Sequence, residues 1–370
     1  MRGGGPYGNR APEIASSAVL QKSRTQRLLT LQVSQIATLG PFPFPFPFPF
    51  PYPPRVRAAS LLPLLLLLLL PSRAHATEYA PYFYTWSWDN PSYPFKTLVE
   101  LEQQSGLRHV TLAFVLAEGG CSPSRDIDRH LADVSAFRKR GGRVRASFGG
   151  ASGTSLEMAC PDPTSLGDAI GAFVERTGIA DLDFDVEQAA AMTPAKNLLR
   201  AQALARIQAR SRISVSFTLA ATAPGGLSPA ALDVVKAALS AGIQVSRVNL
   251  MTMGYAATPA RATSDLAVLA LSDAHAQIRQ AIPGLGERDA WSLLGVTPMI
   301  GKNGPSSSPF TLADARALTR FAREKGLGLL SFWAIQRDRP GSGPLSGYSG
   351  AQEMAFAFHQ VFADVARVSR

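Results

Sequence analysis

Beyond residue 77 the apolar positions switch between a period of two and a period near 3.6, the spacings of a strand and of an amphipathic helix. Eight segments read as strands: 78–86, 108–117, 142–150, 179–187, 212–221, 245–255, 291–301 and 327–335. Amphipathic helices are predicted between them, for example over 163–178, 228–242, 311–326 and 351–368, and several end in glycine, as a helix C-cap does. Eight strand-then-helix units in about 290 residues predict an α/β fold, a (β/α)8 or TIM barrel. The alternative is a doubly wound open sheet. That fold places a nucleotide-binding glycine turn after its first strand, and "YTWSWDNPS" is not one.

One strand breaks the apolar rule. In "IADLDFDVE" (179–187) four acids, Asp181, Asp183, Asp185 and Glu187, alternate with Leu182, Phe184 and Val186. A period of two puts all four carboxylates on one face, which points inward in a barrel. Successive carboxylates lie about 6.6 Å apart and repel by roughly 2.5 kcal/mol at an effective dielectric near 20. Some protons must therefore be shared or retained. A proton retained on the outermost residue, Glu187, makes a general acid, with a charged neighbour below it as electrostatic stabiliser. Barrel active sites sit at the C-terminal strand ends. Those ends hold Trp86, Glu118, Gly149, Gly150, Asp185, Glu187, Tyr255, Asn303 and Trp333. This is an aromatic, polar lining suited to a carbohydrate ring.

Composition changes the picture in one respect. The net charge of +10 is concentrated at the front, since residues 1–76 carry eight Lys/Arg and one acid and the remainder is only +3. No sustained basic stripe remains, so nucleic acid is not an expected partner. "LLPLLLLLLLPSRAHA" reads as a secretory signal over 56–76, with cleavage after Ala76. Its apolar run is too short to span a membrane. The proline-alternating "PFPFPFPFPFPYPP" forms neither helix nor inner strand. Residues 1–55 are expected to be a start-site artefact, with the true start near Val56. The expected organisation is an extension (1–55), a signal peptide (56–76) and one catalytic domain (77–370), secreted and monomeric. The two cysteines, Cys121 and Cys160, are expected to form one disulfide in an exported chain, worth roughly 3–4 kcal/mol. The five histidines show no ligand spacing, so no metal is expected and no cofactor is called for.

With these motifs in view, the sequence resembles the chitinases of glycoside hydrolase family 18, in particular bacterial, secreted, single-domain members. Asp183, Asp185 and Glu187 match the last three acids of the family's D-x-x-D-x-D-x-E strand. "SFGG" (147–150), "NLMTMGY" (249–255), "TPMIGKNG" (297–304) and "SFWAIQRD" (331–338) are similar to its third-, sixth-, seventh- and eighth-strand motifs. The resemblance implies hydrolysis of β-1,4-linked N-acetylglucosamine polymers with retention, by substrate-assisted catalysis. It implies Glu187 as acid and then base, Asp185 as orienter of the acetamido group, Asp183 as its support and Tyr255 as a donor to the acetamido oxygen. Trp333 would floor the subsite. Trp86, Gly149, Gly150, Met251 and Asn303 complete the expected substrate contacts, although a methionine's ordinary job is packing.

The sequence also departs from the pattern. The signature's first acid falls on Ala180, while Asp181 stands where many members have glycine. Acids common after the sixth-strand methionines and in the seventh-strand motif are Gly254 and Gly304 here. Two other readings stay open: a catalytically silent chitin-binding lectin on the same barrel, and an endo-β-N-acetylglucosaminidase.

Overall fold

The computed structural model describes residues 76–257, 261–350 and 354–366. The expected extension and all but the last residue of the expected signal segment lie outside the described residues. The strands are β1 (Glu78–Tyr79), β2 (Tyr82–Tyr84), β3 (His109–Val115), β4 (Arg143–Gly149), β5 (Asp181–Asp185), β6 (Ser214–Thr222), β7 (Gly226–Leu227), β8 (Val245–Met251), β9 (Leu294–Thr297) and β10 (Leu329–Leu330). All pair in parallel except β7, a short antiparallel flap on β6.

The sheet runs β1-β10-β9-β8-β6-β5-β4-β3-β2. Its two ends are one chain segment, because β1 and β2 are separated only by Ala80-Pro81. Tyr82 N donates to Phe332 O on one side, and Thr111 N donates to Pro81 O on the other. Residues 78–84 thus act as one barrel staff that closes the ring. Proline has no N–H to donate, which explains why the expected first strand is broken there.

The helices are α1 (Leu98–Ser105), α2 (Leu131–Lys139), α3 (Leu156–Ala159), α4 (Pro163–Thr177), α5 (Pro194–Gln208), α6 (Pro229–Ser240), α7 (Thr263–Ala281), α8 (Glu287–Leu293), α9 (Leu312–Lys325) and α10 (Ala357–Ala363). Local chemistry sets their ends. The Asp162 side chain accepts from Thr164 N and Ser165 N ahead of Pro163, and Gly178 closes α4 in the left-handed region at φ 66°. Thr311 and Asp314 form a capping box on α9, and Gly326 terminates it at φ 69°.

Two element boundaries differ from expectation. The predicted strand at 291–301 begins only at Leu294, because Trp291 belongs to α8, where it stacks on His275 at 4.1 Å. The predicted helix at 351–368 is shorter. Phe356 sits at φ 59°, outside helical geometry, so α10 starts at Ala357 and ends in a 3-10 turn at Asp364–Ala366. Among the described residues, no helix is long and apolar enough to cross a membrane.

The apolar core fills the space between sheet and helices, with Leu182, Phe184, Phe217 and Val248 facing outward from their strands and almost fully buried. The barrel interior is polar, and register builds it. Ser147 pairs with Asp183 and Gly149 with Asp185 across β4 and β5; Asp183 pairs with Ser216 and Asp185 with Thr218 across β5 and β6. Residues in register and of equal parity meet inside the barrel, so the acids of β5 rise as a column through its axis.

Candidate active site

Asp183 forms the base of the column and is almost fully buried. It accepts from Ser147 Oγ at 2.7 Å, Ser216 Oγ at 2.8 Å, Thr218 Oγ1 at 3.0 Å and Tyr82 Oη at 3.3 Å. Burial pushes its carboxyl up, and the hydroxyl donors with the Arg145 cation offset part of that. Asn249 extends the network by donating to Thr218 Oγ1 at 3.0 Å and Thr297 Oγ1 at 2.8 Å. The donor set fixes where Asp183 sits.

Asp185 stands one layer higher, also buried. Its Oδ1 has no hydrogen-bond partner among the described residues. Burial raises its proton affinity well above the ordinary carboxylate range, and the negative charges of Glu187 and Asp183 add to the effect. Glu187 acts on Asp185 across the same cavity wall, and burial pushes the Glu187 carboxyl up as well. Two carboxyls in contact in a low-dielectric site cannot both ionise easily, so the pair keeps a proton to higher pH than either would alone.

Asp185 and Glu187 open into a cavity of about 620 Å³ that also exposes Trp86, Met251 and Trp333. Trp333 stacks on Phe114 at 5.5 Å, and Tyr84 stacks on Trp86 at 4.4 Å. The result is a continuous aromatic floor beside the acid pair, with Trp86 47% exposed at its outer edge. Flat apolar faces next to convergent polar groups suit a pyranose ring. The expected disulfide between Cys121 and Cys160 is formed, with a Cα–Cα distance of 4.6 Å. It ties the segment that carries Asp126 to the end of α3, the helix that follows Ala151–Gly153 of the cavity wall.

Four expected site residues do something else. Gly149 and Gly150 do not line the cavity. A Cβ on Gly149 would stand 2.3 Å from Asp185 O, and Gly150 N donates to that same oxygen at 2.9 Å. They seat the backbone of Asp185. Asn303 is consumed by its loop: its amide donates to Met299 O and Gly301 O, and its Oδ1 accepts from Gly254 N. Tyr255 donates its hydroxyl to Ala221 O at 3.1 Å and lies outside the cavity lining. Against these, Tyr82, Phe114, Ser147, Ser216, Thr218 and Asn249 were not anticipated.

At the opposite end of the barrel, Asp181 is bound by Arg145 through Nε and Nη2, each at 3.1 Å. His109 lies there too, 3.0 Å from Glu78. The oxygen and nitrogen atoms of Glu78, His109 and Asp181 fall within 4.8 Å of one another, a proximity that the scattered sequence positions of the histidines do not reveal.

The structure is a parallel eight-staff barrel with a buried acid column and an aromatic cleft at its C-terminal mouth. No protein-family model matches the chain. It is 28% identical over 291 residues to a probable bifunctional chitinase/lysozyme of Escherichia coli K12, covering 72% of this chain and 32% of that protein. It is 27% identical over 258 residues to Endochitinase 11 of Metarhizium anisopliae, covering 65% and 49%. The chain therefore spans from about a third to a half of these relatives' length. Among solved structures, the catalytic domain of a hyperthermophilic chitinase from Pyrococcus furiosus matches with a TM-score of 0.71 and 29% identity, over 78% of this chain and 95% of that one. A family 18 chitinase from Chromobacterium violaceum shares the fold, with a TM-score of 0.52 and 15% identity, over 79% and 84%. The chain is thus related in sequence and in fold to chitinases, and it shares the barrel fold of a family 18 chitinase.

Proposed function

We propose that this protein is a chitinase that cleaves β-1,4-linked N-acetylglucosamine polymers with retention, using the substrate's own acetamido group. The carrying observation is the Asp185–Glu187 pair, held above Asp183 and lining one cavity with Trp333. A Pyrococcus furiosus relative has been solved with chito-oligosaccharides, which supports this ligand class.

Glu187 delivers its proton to the glycosidic oxygen as that bond breaks. The acetamido oxygen attacks the anomeric carbon from the other face and gives an oxazolinium ion, so no protein nucleophile is required. Asp185 accepts from the acetamido N–H and stabilises the positive charge that develops there. Glu187, now a carboxylate, takes a proton from water as the water opens the ring, which regenerates the acid and the acetamido group. Asp126, the other carboxylate at the cavity wall, is ion-paired with Arg129 and is given no role. Secretion belongs to the same proposal: the Cys121–Cys160 disulfide suits an oxidising compartment.

The test is hydrolysis of N-acetylated chitin hexasaccharide beside its fully deacetylated counterpart. Only the acetylated oligomer is expected to be cut. Equal cleavage of both would remove the acetamido group from the mechanism, and binding without cleavage of either would favour the lectin reading.

A further inference from the structure

The N-terminal mouth of the barrel, at the far end from the acid pair, carries a second cavity of about 350 Å³ whose wall includes Glu78, Arg143, Arg145, Asp181, Arg212 and Arg247. These residues open strands β1, β4, β5 and β8 or, for Arg212, precede β6. Four arginines and two carboxylates therefore share one cavity wall. His109 adds no charge at neutral pH, because burial lowers its proton affinity and the contact with Glu78 only partly restores it. The cavity wall carries a cation excess of two.

The donors are also incompletely used. Arg145 is only 3% exposed and spends Nε and Nη2 on Asp181 and Glu78, while its Nη1 meets no acceptor among the described residues. Arg247 reaches Glu78 only at 4.0 Å, and its buried Nε has no acceptor either. Burial destabilises the Arg247 cation; Glu78 and Asp181 offset part of that, and Arg145 and Arg143 repel it. A buried, unpaired guanidinium N–H in a cation-rich cavity is a costly arrangement that an anion relieves. A divalent cation on Glu78, His109 and Asp181 would worsen it, since Arg145 already bridges both carboxylates.

We propose that this cavity binds an inorganic tetrahedral oxyanion, phosphate or sulfate, held by charge-assisted hydrogen bonds from Arg145 and the neighbouring arginines. At the N-terminal face of a barrel such a ligand serves stability rather than catalysis. The site is independent of the chitinase reading and lies at the end of the barrel away from the Asp185–Glu187 pair.

The experiment is thermal unfolding and titration calorimetry of the full chain with sodium phosphate and sodium sulfate, at ionic strength held constant with sodium chloride. Binding to the folded state alone is expected to raise the unfolding midpoint by about 2–4 °C at an anion concentration roughly tenfold above its dissociation constant, and then to level off. Calorimetry is expected to give one site. The double variant Arg143→Gln/Arg212→Gln changes two exposed side chains, so it keeps the fold, and it is expected to weaken binding at least about tenfold. A rise that never levels and is equal in the variant would be a whole-surface salt effect and would overturn the proposal. So would no rise at all, or a saturating rise with zinc chloride but not with phosphate or sulfate.

Discussion

Replacing Asp185 by Asn is expected to lower kcat on chitin oligosaccharides by about 10²–10³-fold, the cost of removing one preorganised group aimed at developing charge. The substitution keeps the side chain's shape in its buried slot between Asp183 and Glu187, so the barrel is expected to unfold at a nearly unchanged temperature. The pH profile gives a second readout. In the wild type, loss of the proton shared by the pair leaves two adjacent negative charges, which delays that loss to higher pH. With Asn at 185 the adjacent like charge is gone, so Glu187 gives up its proton at lower pH. The basic limb of kcat/KM is expected to move to lower pH; an upward shift would contradict the pairing of these two carboxyls.

Glu187→Gln is expected to cost about 10²–10⁴-fold in kcat, the usual contribution of a positioned general acid, while oligosaccharide binding is retained. The loss is expected to shrink in the first step for substrates whose leaving group departs without protonation, such as a nitrophenyl glycoside. Steady-state rates on both substrate types, together with calorimetric binding to the oligosaccharide, check this. A variant that keeps full activity would place the acid elsewhere. A variant that loses binding as well as turnover would make Glu187 a binding residue.

Much of the barrel was legible because its two periods alternate so regularly, and because helix ends such as Gly178 and Gly326 carry their own backbone chemistry. The acid column was legible for a related reason: a period of two leaves one face for Asp181, Asp183, Asp185 and Glu187. The groups that hold Asp183 were hidden. Ser147, Ser216, Thr218 and Asn249 are single polar residues in apolar strands, and only the register between strands brings them to one carboxyl. A search for lone polar residues at inward parity would have found them. Gly149, Gly150, Asn303 and Tyr255 illustrate the converse. A place near a strand's C-terminal end does not tell whether a group meets the cavity or its own backbone, and here Asp185 O, Gly254 N and Ala221 O claim them. The Arg145 cluster was missed because its members are far apart in sequence and meet only when the barrel closes.

The most direct test of the central claim is the configuration of the first-formed product. Chitin hexasaccharide is mixed with the protein in an NMR tube, and the anomeric proton signals are followed before mutarotation blurs them. Attack by the acetamido oxygen followed by water inverts the anomeric carbon twice, so the β-anomer is predicted to appear first. Initial α-anomer would mean direct displacement by water and would contradict the role given to Asp185 and the acetamido group; no product at all would contradict the assignment of Glu187 as an acid.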